Sequence, residues 1–355
     1  MLRVCTAPLA ALVVLFSMSV GVAQHHQQLA MVPQTWELRD GQWQPVSAED
    51  AATRPASTDA TLDRVEQLIN ANQNRGAFKL VVRWFKSHEK TDSLYDRALF
   101  LAARSLHGIG NRLKAFYYLD ELMDTYPASP LFYPSLEMQY EIANAYLNGY
   151  KRRFALIPFL DARDEAVEML YRIQQRSPGS PLAEKALLRT ADYYFATSQF
   201  DLAGDAYGSY AKAYPRSPVV GRVMLRQGFS SLAQFRGVKF DATSLVNARA
   251  QLEDVEFAHA ELAAEENVPT VIDRIDETFA KKLFYTADFY QRTSEPRAAV
   301  YTYRFLIKAY PDSAEAGRAQ KRLERLPAWA LNEPEPASGT GYLPTTMPTQ
   351  AVEPR

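Results

Sequence analysis

The chain has 355 residues, is 47% hydrophobic and carries a formal net charge of −1. That composition supports a large buried core, and the balanced charge excludes a broad electrostatic footprint for nucleic acid or acidic membrane. Its one cysteine, Cys5, provides no disulfide framework and no cysteine-ligated zinc.

Met1-Leu2-Arg3 is a short basic start, Leu9 to Phe16 an apolar core, and Gly21-Val22-Ala23 a small-residue stretch before a cut at Gln24. Residues 1–23 therefore read as a signal peptide, and the apolar run is too short to span a bilayer. Cys5 precedes that core, whereas a bacterial lipid-attachment cysteine follows it, so no lipobox is present. Residues 24–58 form a polar leader. Within it, Asp40-Gly41 lies between alternating large residues, the strongest short signal for a two-residue hairpin turn. That turn sets Leu38 opposite Trp43, with Trp36 on the same face. A lone hairpin is marginal in water, so its rings are expected to dock either on the first helical hairpin or on a partner.

From Leu62 the apolar spacing is helical. Leu62, Val65, Leu68 and Ile69 form one stripe, and after a turn Ala77, Val81 and Trp84 form another. Leu99, Ala103 and Leu106, then Ala115, Leu119 and Leu122, predict a second hairpin that stops at Tyr126-Pro127. The third pairs Tyr140, Ala143 and Tyr146 with Ala166, Leu170 and Ile173 across a long connection. That connection holds Tyr150-Lys151-Arg152-Arg153-Phe154 and an apolar run to Leu160. It reads either as a helix extension buried against the next unit or as an insertion that grips a protein or meets the membrane surface.

The fourth hairpin, Leu187 to Pro218, echoes ninety-six residues on. Thr190-Ala191-Asp192-Tyr193-Tyr194 returns as Thr286-Ala287-Asp288-Phe289-Tyr290, and Ala203, Tyr207 and Tyr214-Pro215 return as Ala299, Tyr303 and Tyr310-Pro311. The alanines permit close helix approach, the rings fill the gap, and the proline stops the second helix. Between these copies Val223 to Leu232 and Ser244 to about Ala264 predict a fifth hairpin, then a break at Asn267-Val268-Pro269 and a long helix to Gln291. Ala314 to Leu326 is a basic closing helix. The fold class is all-α: a right-handed superhelical array of five to six tetratricopeptide-like hairpins over residues 59–330, with disordered ends, the second being the Pro-rich tail 331–355.

The Tyr-Pro-x-Ser stops, the Ala-x3-aromatic helices, Phe240-Asp241 before a long helix, and Glu277-Thr278-Phe279-Ala280 leading to Arg297-Ala298-Ala299 together resemble the BamD (YfiO) type tetratricopeptide family, over about residues 98–326. The resemblance implies a non-catalytic array at the periplasmic face of the outer membrane that binds the barrel-assembly protein and handles unfolded outer-membrane proteins. Family members are usually lipoproteins, so the missing lipobox implies a soluble periplasmic relative or attachment through a partner.

No chemistry competes with that reading. The histidines lack zinc-helix spacing, and there is no glycine-rich phosphate loop and no nucleophile elbow. Catalytic, metal and cofactor residues are therefore expected to be none. The residue after each packing alanine is the candidate for partner contact: Arg104, Asn144, Asp192 and Asp288, with Phe100, His107 and Tyr140 one turn away. Rings supply area there and polar groups orient a bound main chain. The partners expected are proteins or extended peptides, with no nucleic acid. The rival role is a cell-envelope adaptor for cell-wall or division machinery, which needs the same export signal and repeats.

Overall fold

The computed structural model describes residues 35–47, 59–149, 152–154, 157–160 and 163–332. The expected signal peptide, most of the leader and the tail from 333 onward lie outside the described residues. What is described is an all-α tetratricopeptide-type array with two short strand pairs.

β1 (Trp36–Arg39) and β2 (Gln42–Pro45) form the expected hairpin, with Leu38 opposite Trp43. Asp40 at φ 52° and Gly41 at φ 75° supply the two left-handed residues that such a turn requires. The docking site differs from expectation. Trp43 packs on Phe132 and Tyr133, with ring centroids 6.5 and 5.7 Å away, and its Nε1 donates to the Pro178 carbonyl at 3.1 Å. The hairpin therefore sits on the third helical unit. A large ring with one N–H needs both an aromatic seat and a free acceptor, and that unit offers both.

Six helical hairpins follow. They are α1 (Ala60–Asn70) with α2 (Asn74–Phe85), α3 (Tyr95–Ile109) with α4 (Arg112–Thr125), and α5 (Phe132–Leu147) with α6 (Arg163–Arg176). Then come α7 (Pro181–Ala196) with α8 (Phe200–Ala213), and α9 (Val220–Ala233) with α10 (Thr243–Ala258). A short α11 (Ala260–Glu265) leads to α12 (Val268–Arg292), which pairs with α13 (Pro296–Ala309). α14 (Ala314–Leu323) and α15 (Ala328–Leu331) close the described residues.

Helix ends are set by local chemistry. Asp59, Ser180 and Ser313 accept from Leu62, Ala183 and Ala316 N–H groups at the starts of α1, α7 and α14. The Tyr-Pro stops share one backbone: Tyr126, Tyr214 and Tyr310 have φ of −127°, −128° and −134°, each donating its N–H to the carbonyl four residues back. The serine two residues past each proline then donates its N–H to that tyrosine's carbonyl at 3.0 to 3.2 Å. Within the hairpins, Asn72, Gly110, Ser198 and Ser294 take equivalent left-handed turns at φ 57°, 90°, 60° and 62°. The N–H after each reaches back five residues to a helix carbonyl at 2.8 or 2.9 Å, closing a Schellman-type end. A side chain in that conformation costs about 1–2 kcal/mol, and glycine escapes the cost. Gly110→Ala is therefore expected to lower stability by about 1 kcal/mol. Ser198→Gly should leave stability equal or higher, both being read by urea denaturation.

The insertion is not a helix extension. β3 (Arg152–Phe154) pairs antiparallel with β4 (Ile157–Leu160), and Pro158 in the apolar run is one reason a helix does not continue there. The expected long helix over Ser244 to Ala264 also breaks. His259 adopts the extended φ of −140° between α10 and α11, and its ring lies where a Cβ on Gly221 would come within 2.9 Å. The long last first-helix begins at Val268 because Pro269 fits a first turn, while Asn267 at φ 54° ends the preceding one.

Among the described residues the core runs along the chain in four clusters, three spanning neighbouring hairpins and the last joining the sixth hairpin to the closing helices. Ala191, Ala203, Ala287 and Ala299 are fully buried, as are Tyr207, Tyr210 and Tyr303. Each unit thus hides its apolar face against its neighbours, which is how a solenoid stays folded without long-range contacts.

Candidate interaction face

Polar bridges join the first helices α1 to α3, α5 to α7 and α7 to α9, and join α12 to the closing helix α14. On α1, Glu66 accepts from both Arg97 (3.0 Å) and Arg104 (3.2 Å) of α3, and Asp63 accepts from Arg97 at 2.8 Å. On α5, Asn144 and Asn148 accept from Arg189 of α7, each at 2.8 Å. Asp192 of α7 pairs with Arg226 of α9 and accepts from the Tyr207 hydroxyl at 2.8 Å. Asp288 of α12 pairs with Arg322 of α14 at 3.4 Å. In each bridge the arginine comes from the later helix and the acceptor from the earlier one. Asn148 is exposed and the other groups are half-buried, so each pair is screened by solvent and worth about 1 kcal/mol or less. Their effect is on register between repeats.

The seven sequence-predicted residues are distributed along this face and do not form one cluster. Phe100, Arg104 and His107 lie on α3, Tyr140 and Asn144 on α5, Asp192 on α7 and Asp288 on α12. All seven are half-buried. Phe100 and Tyr140 pack on the core of the first three hairpins and present the rest of their rings outward. Arg104, Asn144, Asp192 and Asp288 are the bridge residues just described. Burial, then the Arg112 guanidinium, hold His107 below the usual imidazole range against an opposing pull from Glu141, so it is a neutral polar group here. Burial alone would disfavour the Arg226 cation, but Asp192 and then Tyr207 outweigh it and raise it further.

Sequence reasoning missed the partners Glu66, Arg97, Arg189, Arg226 and Arg322. The signal for two of them is the tetratricopeptide period. Arg226 follows Asp192 by 34 residues, and 322 − 288 gives the same offset for Arg322 and Asp288. The ninety-six-residue echo therefore carries an ion pair as well as a packing motif.

On the same stripe of α5, burial and then the Glu141 carboxylate raise the Glu137 carboxyl above its usual range, with Lys185 opposing. Between the ordinary glutamate value and that raised value, the folded chain holds a proton that the unfolded chain has lost. Stability therefore falls as pH rises through that window. Glu137→Gln is expected to raise the melting temperature at neutral pH, with the gain gone by about pH 4, where both forms are protonated.

Among the described residues no group of three His, Cys, Asp or Glu converges as a metal site, and no helix is long and apolar enough to cross a membrane. A row of rings, guanidinium groups and amides suits an extended chain or a partner helix.

Two family models match parts of the chain. Residues 161–328 match the family model YfiO, described as outer membrane lipoprotein, and residues 97–129 match a tetratricopeptide repeat model. Among solved structures, tetratricopeptide-like repeats of a kinesin light chain from Podosopora anserina are 16% identical, covering 57% of this chain and 95% of that one at a TM-score of 0.32. A tetratricopeptide repeat protein from Cytophaga hutchinsonii is 12% identical, covering 73% and 98% at 0.30. PilW, a type IV pilus biogenesis factor, is 15% identical, covering 75% and 100% at 0.27. No curated protein sequence matches.

Proposed function

We infer, from a chain that carries a tetratricopeptide unit at residues 97–129 and a YfiO-type segment at 161–328, that this protein is a non-enzymatic scaffold of the bacterial cell envelope. Its work is protein–protein contact in outer-membrane protein assembly. It binds the barrel-assembly protein, unfolded outer-membrane proteins, or both, from the periplasm.

The observation that carries this reading is the recurrence of half-buried rings and polar groups on the first helices, from Phe100 and Arg104 in the tetratricopeptide unit to Asp192 and Arg226 in the YfiO-type segment. A surface of that length engages an extended partner by main-chain orientation and ring area, without a pocket.

The test is affinity purification of the barrel-assembly protein with wild type and with Arg104→Glu plus Tyr140→Ala. The double variant places a carboxylate beside Glu66 and removes a ring from the face. It is expected to lose roughly tenfold or more of the captured partner while keeping its helical circular dichroism. Undiminished capture removes this face from the reading. Depletion followed by outer-membrane protein profiling separates the roles: reduced barrel levels support assembly, whereas normal levels with a wall or division defect favour an envelope adaptor.

A further inference from the structure

Among the described residues the β1–β2 hairpin has no third strand, so each of its strands keeps an outer edge. The two edges are unequal. Around a two-residue turn, bonded and non-bonded pairs alternate. Arg39 with Gln42, Glu37 with Gln44 and Thr35 with Val46 are the bonded pairs, the last with the Val46 N–H donating to the Thr35 carbonyl at 2.7 Å. Trp36 and Leu38 therefore turn their main-chain N–H and C=O groups outward from β1. Trp43 and Pro45 do the same from β2, but Pro45 has no N–H to offer.

Among the described residues nothing pairs with the outward main-chain groups of Trp36 and Leu38. Outer edges are ordinarily guarded by proline, by a charge aimed across the edge or by a covering element. β2 has its proline. On β1, Glu37 and Arg39 lie on the polar face and pair with each other at 3.2 Å. Leu38 is 59% exposed, so the strand is open to solvent there. The seat of Trp43 on Phe132, Tyr133 and the Pro178 carbonyl fixes the hairpin to the third unit. The edge is thus held in place before anything binds, which lowers the ordering cost of binding.

We propose that the outer edge of β1 is a strand-binding site that takes an extended peptide segment as a third strand. The N–H and C=O groups of Trp36 and Leu38 alternate along a line at strand spacing, and an extended main chain presents the complementary order. A residue set opposite Trp36 or Leu38 lies on their apolar face, so the segment that fits alternates apolar and polar residues. The partner is a protein segment not yet paired in a sheet of its own. This site is separate from the first-helix bridges and does not depend on the reading of that face.

The test uses the full chain and a fluorescent peptide of alternating Val and Ser in three forms: unmodified, N-methylated at the Val amides, and N-methylated at the Ser amides. One alternate set of amides faces β1 in the added strand. One methylated form is therefore expected to bind roughly tenfold or more weakly than the unmodified peptide, and the other to match it. Leu38→Pro removes an outward donor without touching the hairpin's own ladder. It is expected to weaken binding roughly fivefold or more at an unchanged melting temperature. Leu38→Thr keeps the N–H and is expected to keep the contrast between the two methylated peptides. If Leu38→Pro lowers the melting temperature, the methylated peptides with wild type still decide. Equal binding of all three forms, equal loss in both methylated forms, or no binding of any form overturns the proposal. Self-association of wild type that Leu38→Pro abolishes assigns the edge to a second copy of this chain and overturns it too. None of these outcomes alters the purification test of the first-helix face.

Discussion

Tyr207→Ala is expected to cost about 3–5 kcal/mol of folding free energy, the range for removing a fully buried ring from a core that cannot collapse around the void. Tyr207 has no exposed surface and sits between the helices of the fourth hairpin, against Phe195 at 6.3 Å. Its hydroxyl donates to Asp192, and Arg226 lies within reach of the same oxygen. Tyr207→Phe keeps the ring and loses only that polar tip, so its cost is expected at about 1–1.5 kcal/mol. Urea denaturation of the two variants separates ring packing from the polar bridge. Because a solenoid unit is supported only by its neighbours, the loss should appear first as faster amide exchange in α7, α8 and α9. Uniform loss of protection across the whole array would contradict this nearest-neighbour picture.

The second large effect is expected at Asp120, on the opposite, second-helix side. Its Oδ1 accepts from the Nε2 of Gln139, a side chain with no exposed surface, at 2.7 Å. Its Oδ2 accepts from Arg172 at 3.2 Å, and Arg176 Nη1 lies 2.9 Å from Oδ1 in ionic contact without hydrogen-bond alignment. One carboxylate on α4 thus ties together α5 and α6. Asp120→Ala removes the acceptor and leaves the buried Gln139 amide only the Phe116 carbonyl at 3.5 Å, beside two guanidinium groups that keep Glu168 and Asp124. The expected cost is about 2–4 kcal/mol, most of it from the poorly satisfied buried amide. Replacing Asp120 and Gln139 together by Leu strands no amide, and is expected to recover at least half of that loss. Thermal melts of the single and double variants decide between stranding and a simple loss of attraction, which predicts that the double variant is the worse of the two.

The fold was legible where spacing alone decides it. The small-residue and ring positions of the ninety-six-residue echo, Ala191 with Tyr207 and Ala287 with Tyr303, are buried as the helical period requires. The Tyr-Pro stops end their helices because proline cannot continue a turn that lacks its N–H donor. Less legible were features set by tertiary contact. Trp43 chose the third unit over the first because Phe132, Tyr133 and the Pro178 carbonyl meet only in three dimensions. The split at His259 depends on the space that Gly221 leaves on a neighbouring helix. The face was half legible. Arg104, Asn144, Asp192 and Asp288 follow from their position after the packing residue, whereas Arg189 sits three residues before its equivalent position. It becomes visible only once Asn144 and Asn148 are seen to hold it.

The most direct test of the interaction face is photo-crosslinking in cells, with benzoylphenylalanine placed at Tyr140 on the face and, separately, at Tyr117, an exposed ring on the second-helix side. Tyr140 is expected to crosslink the barrel-assembly protein or an unfolded outer-membrane protein, and Tyr117 to do so far less. Crosslinking of those proteins from Tyr117 with none from Tyr140 would contradict it.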